Sequence, residues 1–376
     1  MRIVADDKIP LLKGVLEPYA DIIYLPGSKI SNSDIKDADA LIIRTRTKCD
    51  NELLKDTNVK FIATATIGYD HIDTEYCNQQ NITWTNAPGC NSGSVQQYIL
   101  AALFYFASKL QFSLSEKTIG IVGVGNVGKK VEDFTRKLGM KVLLNDPPRA
   151  DAEGNDNFVS LDEIIQKSDI ITLHVPLTFE GQYKTFHLFD ENQLKRLPDR
   201  VILINTSRGE VVDNKALKIH INEKMLAGCV LDVWENEPQL DEELLKIVDI
   251  GTPHIAGYSL DGKANGTSMC VQALSTFFNL GLDSWYPDLS SLSQGLILKL
   301  DGNKLSKHEL LEKISNRIYD IQKDDKKLKD NLYMFENLRG NYPVRREMFN
   351  YKINITNISK ETLKFLTNFN LKINAD

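Results

Sequence analysis

At 376 residues and 42% apolar content the chain is long enough to bury more than one core, and about 100–200 residues per domain predicts two or three domains. A net charge of -6 lacks the basic face that a nucleic-acid binder sets against phosphate, which leaves small molecules as the expected partners. Five scattered cysteines (Cys49, Cys77, Cys90, Cys229, Cys270), without a C-x-x-C pair, indicate neither a disulfide framework nor a metal site, so a reducing, cytoplasmic setting is expected.

The N-terminal Met1-Arg-Ile-Val-Ala-Asp6-Asp7 meets charge too early for a secretory signal and reads as a first strand. Short β-rich runs at Arg2–Ala5, Ile22–Leu25, Ala40–Arg44, Phe61–Ala65 and Thr83–Thr85 alternate with helix-length segments, which predicts an α/β sheet. Runs such as Ala40-Leu-Ile-Ile43, apolar without alternation, suit parallel strands covered on both faces. A helix beginning near Ser94 follows; its apolar stretch, Tyr98 to Leu110, is far short of the ~18–20 residues of a membrane span and reads as buried. No membrane partner is expected.

The rhythm then restarts, with strands predicted at Thr118–Val122, Lys141–Asn145, Ile170–His174, Val201–Asn205, Cys229–Val233 and Asp249–Gly251, a doubly wound sheet. Leu260–Leu280 reads as a helix able to return to the first domain. From about Trp285 the composition shifts to a third, α+β module: the run Leu296-Ile-Leu-Lys-Leu300, two helices dense in lysine and aspartate, and a strand at Tyr351–Ile355. The charge run Lys323–Asp330 reads as a solvated helix face.

One turn carries chemistry. Gly123-Val-Gly125-Asn126-Val127-Gly128 follows the apolar run Ile119–Val122, opens a helical stretch, and precedes Asp146 at the end of the next strand. Gly123 permits the tight turn, Gly125 lets the backbone approach a pyrophosphate, and Gly128 brings helix against sheet. The helix N-terminus then faces the phosphates. Asp146 would accept from both adenosine ribose hydroxyls and repel a 2′-phosphate, which favours NAD over NADP, with the neighbouring Arg149 as the counter-indication.

A second constellation follows in chain order. His254 lies in Thr252-Pro-His-Ile-Ala-Gly257 beyond a short strand, and Glu237-Pro238 supplies the carboxylate that a catalytic imidazole needs. Arg208 in Asn205-Thr-Ser-Arg-Gly209 has a planar fork suited to binding a carboxylate bidentately while polarising the adjacent carbonyl; the bland alternative is a surface arginine paired to Glu210 or Asp213. Asp232 could accept from a nicotinamide carboxamide or cap a helix. Base, cation and cradle together suggest hydride transfer from a secondary alcohol.

With Gly123–Gly128, Asp146, Ser207-Arg208-Gly209, Asp232, Glu237-Pro238 and His254, residues 1–280 resemble the D-isomer-specific 2-hydroxyacid dehydrogenase family. The resemblance implies a doubly wound Rossmann NAD domain over 95–257, a flavodoxin-like substrate domain over 1–94 completed by 258–284, and an extra C-terminal α+β dimerisation domain over 285–376. It implies Arg208, Glu237 and His254 as catalytic residues, and NAD contacts at Asp146, Val175, Thr206, Ser207, Arg208, Asp232 and Gly257. Thr45, Thr66 and Tyr258 would contact substrate.

Finer strings, notably Asp146-Pro-Pro-Arg-Ala150, His254-Ile-Ala-Gly-Tyr258 and Asn341-Tyr-Pro-Val-Arg-Arg-Glu347, are similar to a branch that oxidises a phosphorylated four-carbon 2-hydroxy acid and acts as a homodimer. Arg44, with Arg345 or Arg346 reaching across such a dimer, is the expected phosphate site; Arg46 and Lys48 either add charge there or face solvent. The rival readings are a dehydrogenase for another 2-hydroxy acid, such as 3-phosphoglycerate, and an NAD-sensing, corepressor-like binding protein.

Overall fold

Apolar runs that need cover on both faces build three sheets here, all of them parallel. The computed structural model describes residues 1–290, 292 and 295–375. Its contacts divide the chain into two units, Met1–Asn91 with Ser259–Gln294, and Ser92–Tyr258 with Gly295–Asp376.

The first unit holds β1 (Arg2–Asp6), β2 (Asp21–Leu25), β3 (Ala40–Ile43), β4 (Phe61–Thr64) and β5 (Thr83–Thr85), in the order β2-β1-β3-β4-β5. This is the order of flavodoxin-like sheets. One face packs on Ile35, Leu53 and Cys77, and the other on Leu12, Leu16 and the helix Leu260–Phe278. Phe61 of β4 meets Phe277 of that helix with ring centroids 4.9 Å apart. Ser259 caps its start by accepting from the Gly262 N–H, and Asn279, at φ 56°, ends it in the left-handed conformation.

In the second unit, β6 (Thr118–Val122), β7 (Lys141–Asn145), β8 (Ile170–Leu173), β9 (Ile202–Asn205), β10 (Gly228–Leu231) and β11 (Ile250–Gly251) lie in the order β11-β10-β9-β8-β6-β7. The order reverses between β6 and β8, and ligands of open α/β sheets bind at such a switch point, beyond the carboxyl ends of the strands. The helix Ser92–Leu110 is buried along most of its length. Three further parallel strands, β12 (Ile297–Asp301), β13 (Lys352–Thr356) and β14 (Lys372–Ala375), carry the helices Lys307–Ile318 and Ile321–Asp330.

These C-terminal residues share a core with the six-stranded sheet: Leu310, Ile314 and Ile353 join Ile99, Leu103 and Ile121 in one cluster, and Leu328 and Phe335 join Leu231 and Trp234 in another. The charge run is accordingly not a fully solvated face. Ile321, Asp324 and Leu328 are buried at helical spacing, and Asp325 accepts from the Gly251 N–H at 2.7 Å while pairing with Lys329 at 2.9 Å. Lys329 also donates to the Val248 carbonyl at 2.8 Å. The edge of β11, only two residues long, is thereby covered rather than left as a template for pairing. Strand β14 was not expected from the sequence, since Lys372-Ile-Asn-Ala375 carries little apolar signal; it is an edge strand whose backbone pairing with β13 does the work. Among the described residues no helix is long and apolar enough to cross a membrane.

Candidate active site

The cradle and acid–base candidates of the second unit lie at the carboxyl edge of the six-stranded sheet, in its loops and in the first turn of the helix Asn126–Lys137. Asn205, Leu231 and Gly251 are matched in register at the ends of β9, β10 and β11, and Arg208, Glu237 and His254 follow those three ends. Val122, Leu173 and Asn145 are matched at the ends of β6, β8 and β7, and the glycine turn, Val175 and Asp146 follow them. One half of the edge thus carries the cradle and the other the acid–base candidates.

In the cradle each glycine answers a different constraint. Gly123 has φ +88°, and a Cβ there would lie 2.6 Å from the His174 carbonyl oxygen. A Cβ on Gly128 would collide with the Gly123 carbonyl oxygen, so the helix Asn126–Lys137 could not start where it does. At Gly125 nothing of the protein lies within 4 Å of a Cβ, so space is kept open at the helix N-terminus, where a pyrophosphate is favoured. Asp146 accepts from the Val124 N–H at 2.8 Å and the Arg149 N–H at 3.1 Å, one bond to each carboxylate oxygen, which leaves two acceptor positions for a pair of ribose hydroxyls. Arg149 is committed elsewhere: it forks onto Glu153 at 2.7 and 2.6 Å and donates to the Val124 carbonyl. A dinucleotide without a 2′-phosphate fits this set. His174, behind the turn, is pushed down to about 3 by burial; its ring meets the Thr172 hydroxyl at 3.0 Å.

On the other half, His254 Nδ1 lies 2.8 Å from Glu237 Oε2. Burial works to raise the Glu237 carboxyl, but the His254 charge and hydrogen bond, the Arg339 charge and the Trp234 N–H together hold it below its ordinary value. An ionised Glu237 can only accept, so His254 donates from Nδ1–H and keeps the Nε2 lone pair for a proton from outside. The backbone of His254 has φ +54°, a left-handed conformation rare for a side chain of this size, and its N–H donates to the Asp232 carbonyl at 2.8 Å.

Asp232 caps no helix. Its buried carboxylate takes the Thr252 hydroxyl at 2.6 Å and the N–H groups of Ile255 and Ala256 at 2.8 and 2.9 Å, fixing the loop that carries His254 and leaving one lone pair on Oδ2. Arg208 is half-buried and donates from Nη1 to the Ser207 carbonyl at 2.8 Å. Asp213, one of its possible surface partners, instead caps the helix Asn214–Asn222 through Lys215 and Ala216 N–H. Thr206 lies beside His174, and Gly257 and Tyr258 close the His254 loop, with the Tyr258 N–H donating to the Ile255 carbonyl at 2.8 Å.

In the first unit, Arg44 and Thr45 follow β3 and Thr66 follows β4, at strand ends matched through Ile43 and Thr64. Thr45 is exposed, whereas Arg44 is half-buried. The Thr66 hydroxyl donates to the Gly68 carbonyl at 2.9 Å, so it accepts from Thr64 at 2.7 Å, and Thr64 in turn takes the His71 Nε2–H at 3.0 Å. This relay was missed in the sequence because Thr64 ends a strand and His71 lies seven residues on, in a turn. Lys48 is exposed and paired to Asp50 at 2.8 Å, on the solvent side of the choice posed for it.

The C-terminal arginines depart from expectation. Arg345 and Arg346 are 6% and 4% exposed within their own protomer, so neither guanidinium extends toward a second chain. Arg345 Nη2 finds acceptors in its own chain, the carbonyls of Ile255 and Ala256 and the Ser94 hydroxyl, while its buried Nε and Nη1 meet none among the described residues.

Comparison with known proteins decides the family. Residues 103–256 match the model of the D-isomer specific 2-hydroxyacid dehydrogenase, NAD binding domain, and residues 292–367 match a domain of unknown function (DUF3410). Erythronate-4-phosphate dehydrogenase of Bacteroides fragilis is 50% identical over 357 residues, covering 95% of this chain and all of that one. The chain belongs to the erythronate-4-phosphate dehydrogenase family. The Proteus mirabilis member is 40% identical over 98% of this chain and 99% of its own. Among solved structures, D-lactate dehydrogenase from Aquifex aeolicus, complexed with NAD and lactic acid, is 29% identical with a TM-score of 0.61, covering 75% of this chain and 97% of that one.

Proposed function

We propose that this protein oxidises 4-phospho-D-erythronate at C2 to 3-hydroxy-2-oxo-4-phosphobutanoate, with NAD as hydride acceptor, as a step toward pyridoxine 5′-phosphate in the cytoplasm. The observation that carries the reading is the His254–Glu237 pair at the same sheet edge as a glycine cradle whose free space and acceptors suit a dinucleotide. Relatives that share half of their residues over the whole length narrow the substrate.

NAD would be held by Gly123, Gly125, Asn126, Val127 and Gly128 at its phosphates, by Asp146 at its ribose, and by Val175, Thr206, Ser207, Arg208, Asp232 and Gly257 nearer its reactive end. When bound, it supplies an acceptor for the C2 hydride. His254 Nε2 takes the hydroxyl proton, Glu237 stabilises the imidazolium that results, and Arg208 grips the carboxylate and polarises the nascent carbonyl oxygen. Thr45, Thr66 and Tyr258 orient the substrate. Arg44 would bind the phosphate, and the burial of Arg346 within its own chain removes the second arginine from that role.

The reading includes a homodimer through the C-terminal module, where Tyr333, Val344 and Met334 leave 91%, 74% and 43% of their surfaces exposed. Sedimentation of the parent and of Val344→Glu tests it. A substrate panel of phosphorylated four-carbon and three-carbon 2-hydroxy acids, followed by nicotinamide absorbance, tests the activity. Preference for 3-phosphoglycerate would move the protein to the rival dehydrogenase, and NAD binding without turnover would make it a sensor.

A further inference from the structure

The loop after His254 is held from two sides. Asp232 takes the N–H groups of Ile255 and Ala256, and Arg345 Nη2 donates to the carbonyls of those same two residues, at 3.1 and 2.5 Å. The Ser94 hydroxyl completes the tie: it lies 2.5 Å from Arg345 Nη2, whose two N–H groups are shared among these three acceptors, and it donates to the Ala256 carbonyl at 3.0 Å. The Arg345 guanidinium stands 4.4 Å over the Tyr319 ring, and Tyr342, 5.7 Å from it, donates its hydroxyl to Asp324 at 2.6 Å. Two residues on, the Glu347 carboxylate lies against Gly93 in the first turn of the helix Ser92–Leu110, where backbone N–H groups favour negative charge.

The same segment reaches Tyr258 at the end of that loop. Arg339 lies 5.6 Å over the Tyr258 ring, and Tyr342 meets that ring edge-on at 6.2 Å. A buried cation on two carbonyls of one short loop is a costly feature to keep for stability alone, because an apolar side chain of similar volume fills such a place without desolvating a charge.

We propose that the C-terminal module acts in cis as part of the acid–base apparatus, with Arg345 as the positioning residue that fixes the His254 loop against Asp232. Residues 339–347 therefore do more than extend a surface: they set where the imidazole stands relative to the substrate hydroxyl. The proposal rests on the role given above to His254, and it deepens that role by assigning a task to a module that lies outside residues 103–256, the range matched by the NAD-binding domain model.

The test uses the full-length protein with NAD and 4-phospho-D-erythronate, comparing the parent with Arg345→Met, Arg345→Lys and Asp324→Asn. A loop displaced by about 1 Å costs about 100-fold in rate, so Arg345→Met should lower kcat by about that factor while the KM for NAD holds, and Arg345→Lys should recover part of the loss. Asp324→Asn, which leaves the carbonyl contacts in place, should cost far less. Hydrogen exchange at the amides of Ile255–Tyr258 should quicken in Arg345→Met in step with kcat. Unchanged kcat and exchange in a folded Arg345→Met protein overturn the proposal, as does an equal loss in Asp324→Asn, which would mark general loosening. If Arg345→Met does not fold, Arg345→Lys decides by the same readouts. A parent that turns over no hydroxy acid sinks the function reading instead, and exchange alone then decides the tie.

Discussion

On one half of the sheet's carboxyl edge, the glycine turn of residues 123–128 is shaped by backbone groups a few positions away, with Asp146 and His174 closing it from the two adjoining strands. On the other half, His254 is held by Asp232 from the neighbouring strand end, by Glu237, and by Arg345 from the far end of the chain. The first half is a local device that needs empty space; the second is a non-local one that needs exact hydrogen bonds. Damage to them should separate cofactor binding from chemistry.

The sharpest break is His254→Asn. Loss of the proton acceptor should lower kcat by about 1,000-fold, within the range for general acid–base groups, while NAD affinity measured by bound-cofactor fluorescence stays near the parent's. A matching collapse of NAD binding would merge the two halves into one. Glu237→Gln keeps the shape of the side chain and removes the charge that stabilises the imidazolium, so kcat should fall by about 100-fold with thermal stability little changed.

Within the cradle, two glycines divide stability from binding. Gly128→Ala puts a Cβ into the Gly123 carbonyl oxygen and should cost about 1–3 kcal/mol in chemical denaturation. Gly125→Ala meets no protein atom and should leave the denaturation midpoint in place, but weaken NAD by about tenfold, or 1.4 kcal/mol. Equal effects at both positions would show that the space at Gly125 is not the ligand's.

A pH-dependent effect concerns His174. Its folded value of about 3 lies below the ordinary 6.5, so the unfolded chain binds the extra proton, and this group's contribution to stability is complete above pH 6.5 and lost as pH falls toward 3. The urea midpoint of the parent should therefore drop more between pH 7 and pH 5 than that of His174→Gln, and parallel curves would rule the group out.

Much of this molecule was legible because its signals are local. The parallel strands announced themselves as apolar runs, and Ala40–Ile43 ended within a residue of expectation. The cradle was readable for the same reason, since glycine turn, helix start and acidic residue fall within one β-α-β stretch. Val233 was placed in a strand, yet β10 stops at Leu231, because the next carboxylate turns to the amides of residues 255 and 256, contacts no local pattern records. Asp325 and Lys329 read as solvated for a like reason: charge predicts exposure until a distant strand edge offers an N–H to one and a carbonyl to the other.

Sequence alone determined the α/β alternation, the dinucleotide turn and the residue types of an acid–base set, because each follows from the geometry of a few consecutive peptides or from the chemistry of one side chain. Only the tertiary structure decided that Asp232 anchors a loop, that Thr64 links His71 to Thr66, and that Arg345 turns inward onto residues 255 and 256 rather than outward to a second chain. A buried charge goes where acceptors converge, and that convergence exists only once residues some ninety positions apart have packed together.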